Sequence, residues 1–403
     1  MAVQYGLMTD SAQLDLYGFD SDLDDEAIAA RDRIRAFVDE HVRGQLDVWW
    51  EAASFPVELA RSLAAIQVYG ADIQGHGCAG VSPRTYGIMM RELERGDSGL
   101  RTLASVQGAL SMRAIHDFGD EAQQATWLPR MATGEILSCF GLSEPECGSN
   151  PGGMTTTARR TADGWHLQGA KMWIGNADIA DVAIVWAKTD GLGDDPGSAR
   201  SIRGFLVETD RTGYEASIIE GKYSLRIGRT CRLALDVALP ESALLRGSSG
   251  LGSPLACLDH ARFGIAWGVL GAAEDCLGDV LAYVGAREVF GRPLASFQLT
   301  HDKLAGMLTA LTQARAVAER LACNAAAGSM TPQQISLAKW SNVQMAQDVA
   351  RTCRDLLGAI GITSVRVPFR HMCNLESVAT YEGTRDIHRL VLGQWLTGIS
   401  AFR

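Results

Sequence analysis

Two side chains in this sequence invite a chemical reading. Glu382 lies in TYEGTRDIHRLVLG (380–393), between Tyr381 and Gly383 and just ahead of a helical pattern of Ile387, Leu390 and Val391. An acid there complements the dipole of a starting helix, with Thr384 as the N-cap. The same carboxylate in a dry apolar pocket has its pKa raised and serves as a general base. Arg101 closes RELERGDSGLR (91–101), which also carries Glu92, Glu94, Arg95 and Asp97. Such a run is usually a solvated helix face. Yet Arg101 leads into Thr102, Leu103, Ala104, Ser105 and Val106, an apolar-leaning stretch. A guanidinium entering a core needs an anionic partner. That partner is either an internal acid or a substrate carboxylate held by paired N–H donors.

Four other stretches carry weaker signals. FGLSEPECGSNPGG (140–153) is rich in small residues whose backbone N–H groups can cradle a polar cofactor edge. It reads equally as an irregular loop entering a β unit. KMWIGN (171–176) sets Trp173 near Gly175, which suits the wall of a flat ring system or, more plainly, a Trp in a β core. REVFGRPLASFQ (287–298) gathers Arg287, Phe290, Arg292 and Gln298 around a proline turn, apt for a diphosphate or for a helix corner. GHGCAG (75–80) matches GxGxxG in letters but lacks the strand and helix that a dinucleotide site needs, so it reads as a turn.

The elements that must hold these residues follow from pattern. The 403 residues allow two or three domains. Residues 24–136 look helical, with Ile28, Ile34, Phe37, Val38 and Val42 at helical spacing. Near 137 the texture turns to Gly, Thr, Ser and Asn, followed by the strand-like runs GWHLQG, VAIVWAK, IRGFLVETD and RLALDVALP. From 253 four long helical segments follow, the last being HMCNLESVATYEGTRDIHRLVLGQWL, and they suggest a bundle. Net charge of −10 argues against nucleic acid and anionic membranes as partners. No apolar run reaches the roughly 18 residues of a membrane span. The acidic N-terminal stretch does not read as a signal peptide. Nine dispersed cysteines without CxxC or Cys/His ligand spacing suggest reduced thiols, a cytoplasmic protein and no metal site.

Taken together and in order, FPVELARSL, RELERGDSGLR, SVQGAL, GLSEPECGSNP, KMWIGN, IRGFLVE, ARFGIAWGVLGAAE, FGRPLASFQL and NLESVATYEGTRDIHRLVLGQWLTGI resemble the acyl-CoA dehydrogenase superfamily. The nearest branch in resemblance is the glutaryl-CoA dehydrogenase family, from about residue 24 to the C-terminus. The resemblance implies an α+β, mostly helical fold: an N-terminal helical domain (1–136), a middle β domain (137–245) and a C-terminal four-helix domain (246–403). It implies bound FAD, a homotetramer, an acyl thioester substrate and an electron-transfer flavoprotein as acceptor. Glu382 matches the family's catalytic base. Arg101, Glu94, Thr102, Ser105 and Tyr381 match the pocket for a distal carboxylate, and Asp259 and Arg262 the region of the substrate tail. Phe140, Leu142, Ser143, Gly148, Ser149, Trp173 and Gly175 match flavin-contacting positions. Arg287 and Gln298 match positions that reach the diphosphate of a neighbouring subunit's FAD, and Phe290, Asp355, Gly358, Thr384 and Asp386 match further cofactor-binding positions. In that branch, dehydrogenation is followed by loss of the carboxylate.

The sequence also departs from the family. Gly175 stands where the family has Thr or Ser, removing a hydroxyl beside the flavin. Asn150 replaces Asp, Ala359 replaces a Gly, and SLRIGRTCR adds Arg229 and Arg232. One reading is drift in an ordinary dehydrogenase of a carboxylate-bearing thioester such as glutaryl-CoA. The other is a specialised-metabolism enzyme resembling the epoxyketone-forming group, in which molecular oxygen enters beside the ring and a β-keto acid is decarboxylated, desaturated and oxygenated.

Overall fold

In the computed structural model, residues 11–190 and 192–402 are described, and residues 1–10, part of the acidic N-terminal stretch, lie outside them. Seven helices open the chain: α1 (Asp25–Phe37), α2 (Leu46–Ala52), α3 (Val57–Ser62), α4 (Pro83–Gly96), α5 (Ser98–Ser105), α6 (Arg113–Phe118) and α7 (Glu121–Ala132). Local signals start several of them. Asp24 accepts from Ala27 N at 2.8 Å, and Ser82 accepts from Thr85 N with Pro83 in the first turn. Asp120 and Gln123 form a capping box before α7.

Seven strands follow: β1 (Ser138–Gly141), β2 (Thr157–Thr161), β3 (Gly164–Gly175), β4 (Val182–Asp190), β5 (Ile202–Glu208), β6 (Tyr214–Ile218) and β7 (Thr230–Pro240). Their order is β1-β4-β2-β3-β7-β6, with β5 paired to β4. The four runs read as strands fall in β3, β4, β5 and β7, while β1, β2 and β6 add to them. Inward positions of β7 alternate with outward ones, burying Cys231, Leu233, Leu235, Val237 and Leu239 against Trp165 and Phe205.

Five helices complete the chain: α8 (Gly252–Ala286), α9 (Gln298–Ala326), α10 (Pro332–Leu356), α11 (Val367–Thr380) and α12 (Arg385–Thr397). The sequence pattern merges the last two into one helix. The structure breaks it at Tyr381–Thr384, where Glu382 takes φ 53° and Gly383 φ 98°. α8 is the central element, with Ile265, Ala266, Trp267, Val269 and Leu270 all fully buried. It packs tightly on α4, since a Cβ on Gly271 would stand 1.9 Å from Arg91 O. Among the described residues, no helix is long and apolar enough to cross a membrane.

Candidate active site

The turn between α11 and α12 sets the base candidate. Tyr381 is extended at the end of α11, and Thr384 caps α12 by accepting from Ile387 N at 3.3 Å. Between them Glu382 is left-handed, a conformation that costs a non-glycine residue about 1–2 kcal/mol. Gly383 is required: a Cβ there would sit 2.8 Å from His388 Nε2. Glu382 therefore lies outside the helix rather than in its first turn. Its Oε2 is buried with no hydrogen-bond partner. Burial raises its pKa, against opposing pulls from the Arg101, Lys339 and Arg262 charges.

Arg101 is brought to this turn by buried ties. Asp97, the N-cap of α5, accepts from Gly99 N at 2.7 Å and from Asn374 Nδ2 of α11 at 2.8 Å. Asn374 in turn accepts from Leu225 N at 2.9 Å. Arg101 is 0 % exposed. Its Nε donates to Glu94 Oε2 at 2.8 Å, and its Nη2 donates to the Tyr381 hydroxyl. Ser98 Oγ donates to Glu94 Oε1 at 2.8 Å, and Thr102 Oγ1 lies 3.3 Å from the Tyr381 hydroxyl. Gly268 on α8 makes room for the pair, since a Cβ there would stand 2.2 Å from Glu94 Oε2. Of the two expected partners, the internal acid is thus present. Arg101 Nη1 nevertheless remains buried and unpartnered, as do Ser105 Oγ and the Tyr86 hydroxyl. The run 91–101 is no solvated face: Glu92, Glu94, Asp97 and Arg101 are all at 0 % exposure.

Asp259 and Arg262 form an ion pair at 2.8 Å, and Arg262 Nε donates to the backbone O of Glu382 at 2.7 Å. Lys339 on α10 donates to Tyr381 O at 2.8 Å and Gly383 O at 2.6 Å. Lys339 was not among the sequence candidates. Its signal was nonetheless available: it falls on the apolar stripe of Ile335, Ala338, Asn342, Val343 and Ala346, all buried. Ser98 and Gly268 carried no such local mark.

The cofactor candidates fall into two groups. In the first, Phe140 on β1 and Leu142 just after it are buried, while Ser143, Gly148 and Ser149 continue into a loop. That loop is anchored from below: Lys171 Nζ donates to Leu142 O at 3.1 Å and Glu144 Oε1 at 2.9 Å. Burial pushes Glu144 up, but Lys171 and the Thr155 and Thr156 donors outweigh it and bring its pKa down to about 2. Met172 N bonds Ser143 O at 2.9 Å beside a register shift in β3 between Lys171 and Ile174. This bulge leaves Trp173 at φ 66° and its indole 59 % exposed. The core tryptophans are instead Trp165 and Trp186. A Cβ on Gly175 would meet only Val106 Cγ2 at 3.4 Å and Arg229 O at 4.0 Å. An exposed tryptophan and a loop of small residues fit a flat ring with polar edges. Arg229, one of the added arginines, is bound to Asp178 and holds that corner.

In the second group, Arg287 ends α8, Phe290 is 97 % exposed at φ 51°, and Gln298 opens α9. Asp355 is exposed beside Arg354, and Gly358 follows α10 at φ 62°. Arg287 lies 25 residues beyond Arg262 along one helix, about 37 Å at about 1.5 Å per residue. Arg287 therefore cannot line the pocket that holds Glu382 in the same chain. Asp386 is exposed in the first turn of α12. GHGCAG is a turn with Gly75, His76, Gly77 and Gly80 at positive φ.

The chain folds as helices, a sheet and helices, with a glutamate in the last helical part whose Oε2 is buried and unpartnered. Residues 24–135, 139–238 and 248–397 match the acyl-CoA dehydrogenase N-terminal, middle and C-terminal domains. The chain belongs to the acyl-CoA dehydrogenase family, whose members are FAD-dependent oxidoreductases. It is 48 % identical to a glutaryl-CoA dehydrogenase from Mycobacterium smegmatis solved in complex with FADH2, with a TM-score of 0.93 over 97 % of this chain and 100 % of that one. Butyryl-CoA dehydrogenase from Megasphaera elsdenii is 28 % identical, with a TM-score of 0.88 over 93 % of this chain and 98 % of that one. The human mitochondrial short-chain specific acyl-CoA dehydrogenase is 32 % identical over 84 % of this chain and 82 % of its own length.

Proposed function

We propose that this protein dehydrogenates a carboxylate-bearing acyl-CoA thioester, of which glutaryl-CoA is the type, and releases the carboxylate as CO2. The observation that carries the reading is Arg101: fully buried, paired on two edges, with Nη1 and its N–H donors left over beside the base. A substrate carboxylate completes that donor set. The similarity to glutaryl-CoA dehydrogenases supports the same substrate class.

FAD supplies the acceptor for the β-hydride; Phe140, Leu142, Ser143, Gly148, Ser149, Trp173 and Gly175 would hold it. Glu382 takes the α-proton, which its burial-raised pKa favours. Arg101 and Tyr381 fix the far end of the chain, so the α-carbon meets the carboxylate in one register. The distal carboxylate then leaves as CO2, and its electron pair delocalises into the unsaturated thioester. Glu382 returns its proton to the γ-carbon, giving an enoyl thioester one carbon shorter. Arg287, Phe290, Gln298, Asp355 and Gly358 would serve the FAD of a neighbouring copy, as in a homotetramer. The distance of Arg287 from the same chain's pocket supports this. An electron-transfer flavoprotein is the acceptor that family membership favours.

The space beside Gly175 favours a second reading, in which oxygen replaces that acceptor and a β-keto acid is the substrate. Anaerobic mixing with glutaryl-CoA tests the first. Bleaching of the flavin absorbance is expected in the wild type, and none in Glu382→Gln with FAD retained. Turnover in Glu382→Gln would remove the base, and a wild type that stays yellow would remove the substrate.

A further inference from the structure

The left-handed turn that carries Glu382 is gripped on three successive carbonyls. Arg262 holds the middle one and is itself braced by Asp259. Lys339 holds the outer two, those of Tyr381 and Gly383. We propose that Lys339 is the positioning residue for the base: its ammonium fixes the backbone on both sides of Glu382 and so keeps the carboxylate aimed into the substrate pocket. This rests on Glu382 being the base.

Three observations carry it. Lys339 is 1 % exposed, and both of its hydrogen bonds go to backbone carbonyls rather than to a carboxylate. A lysine buried for stability alone is matched to an acid. Second, a non-glycine residue with positive φ persists only where its surroundings over-determine it. Both flanking carbonyls accept from one ammonium here, which fixes the backbone from which the Glu382 side chain projects. Third, Lys339 is itself held in place. One turn on, Asn342 Nδ2 donates to Ala266 O at 2.9 Å and Ala314 O at 3.1 Å, tying α10 to α8 and α9. The donor cannot slide along its helix without breaking both bonds.

The ammonium also acts through charge. Arg262 from α8, Arg101 from α5, Tyr381 and Glu382 from the turn, and Arg385 and His388 from α12 surround it. Burial pushes Lys339 down to about 7, while Glu382 pulls it back up. Burial, then the Lys339 and Arg262 charges, push His388 down to about 3, so the imidazole is neutral around pH 7 and Arg101, Lys339 and Arg262 are the cations that act on Glu382. Removing the Lys339 charge therefore raises the pKa of Glu382 further.

The test is Lys339→Met, near in length and uncharged, beside Lys339→Arg and Glu382→Gln, with any acyl-CoA that the wild type turns over. For Lys339→Met, kcat falls on the order of 100-fold, the loss typical of a misplaced reacting group. KM changes less than about 3-fold, FAD stays bound, and the rising limb of kcat/KM against pH moves to higher pH. Lys339→Arg keeps that limb at its wild-type position. A wild-type kcat in Lys339→Met, or a lower kcat with an unmoved limb, overturns the inference. If Lys339→Met fails to fold, Lys339→Gln, also uncharged, takes its place and is read by the same two outcomes. Activity in Glu382→Gln would instead overturn the functional reading, whatever Lys339 does.

Discussion

Arg101→Met puts the substrate assignment at risk in one measurement. The wild-type guanidinium spends Nε on Glu94 and Nη2 on Tyr381, and offers Nη1 to the ligand. A hydrogen bond to a charged partner contributes about 1.5–3 kcal/mol. At about 1.36 kcal/mol per tenfold, its loss lowers kcat/KM roughly 10- to 150-fold. That loss applies only to a thioester whose tail carries the carboxylate. Butyryl-CoA lacks it and is spared. The assay is anaerobic flavin reduction with glutaryl-CoA and butyryl-CoA in parallel, reported as the ratio of their kcat/KM values. The ratio removes any loss of active protein, which matters because Glu94 is left buried and unpaired at a cost of about 3–5 kcal/mol. Arg101→Lys keeps the charge without the fork and is expected to lose about tenfold in the same ratio. A ratio within about 3-fold of the wild type in Arg101→Met would refute the assignment and return Arg101 to a purely internal role.

Lys171→Met leaves Glu144 without its cation and is expected to destabilise the protein by about 3–5 kcal/mol in denaturant unfolding and to weaken FAD retention, because residues 142–149 lose their anchor. Unfolding at wild-type stability would remove the pair from the account of the loop. The same pair predicts acid sensitivity: Glu144 is lowered in the fold, so its contribution is present above the ordinary carboxylate value of 4.5 and is lost as pH falls toward about 2. A thermal midpoint that falls no more in the wild type than in Glu144→Gln across that window would contradict it. Gly175→Thr fills space bounded by Val106 and is expected to lower oxygen uptake relative to dye reduction; an unchanged ratio would sink the oxygen reading.

Periodicity was a good guide to the long helices because each buries a continuous stripe, as α1 does with Ala27, Ala30, Ile34 and Phe37. It ran the two helices together at 381–384 because both flanking segments are helical and the break between them is only four residues long. The local marks of the turn were Gly383 and the Thr384 cap, while the left-handed angle of Glu382 has no signature in the pattern. β1, β2 and β6 were missed because they are four or five residues long and are set among Gly, Ser and Thr. The burial of Glu92 and Asp97 was hidden for another reason: their partners, Arg35 and Asn374, stand 57 and 277 positions away. Glu382, Arg101 and Tyr381 were legible as a set only through the motifs that the resemblance rests on. Lys339 was visible to the helical stripe alone.

The turn that carries Glu382 leaves the carboxylate no alternative address. One position later, any side chain collides with His388. One position earlier stands Tyr381, whose hydroxyl is committed to Arg101. At 382 itself, glycine would adopt the left-handed backbone with less strain than glutamate. On the proposed role of Glu382, a change toward a more comfortable fold leads directly away from activity, at a site where no neighbour can inherit the task. As the proposed base, Glu382 works against the local backbone preference of the chain.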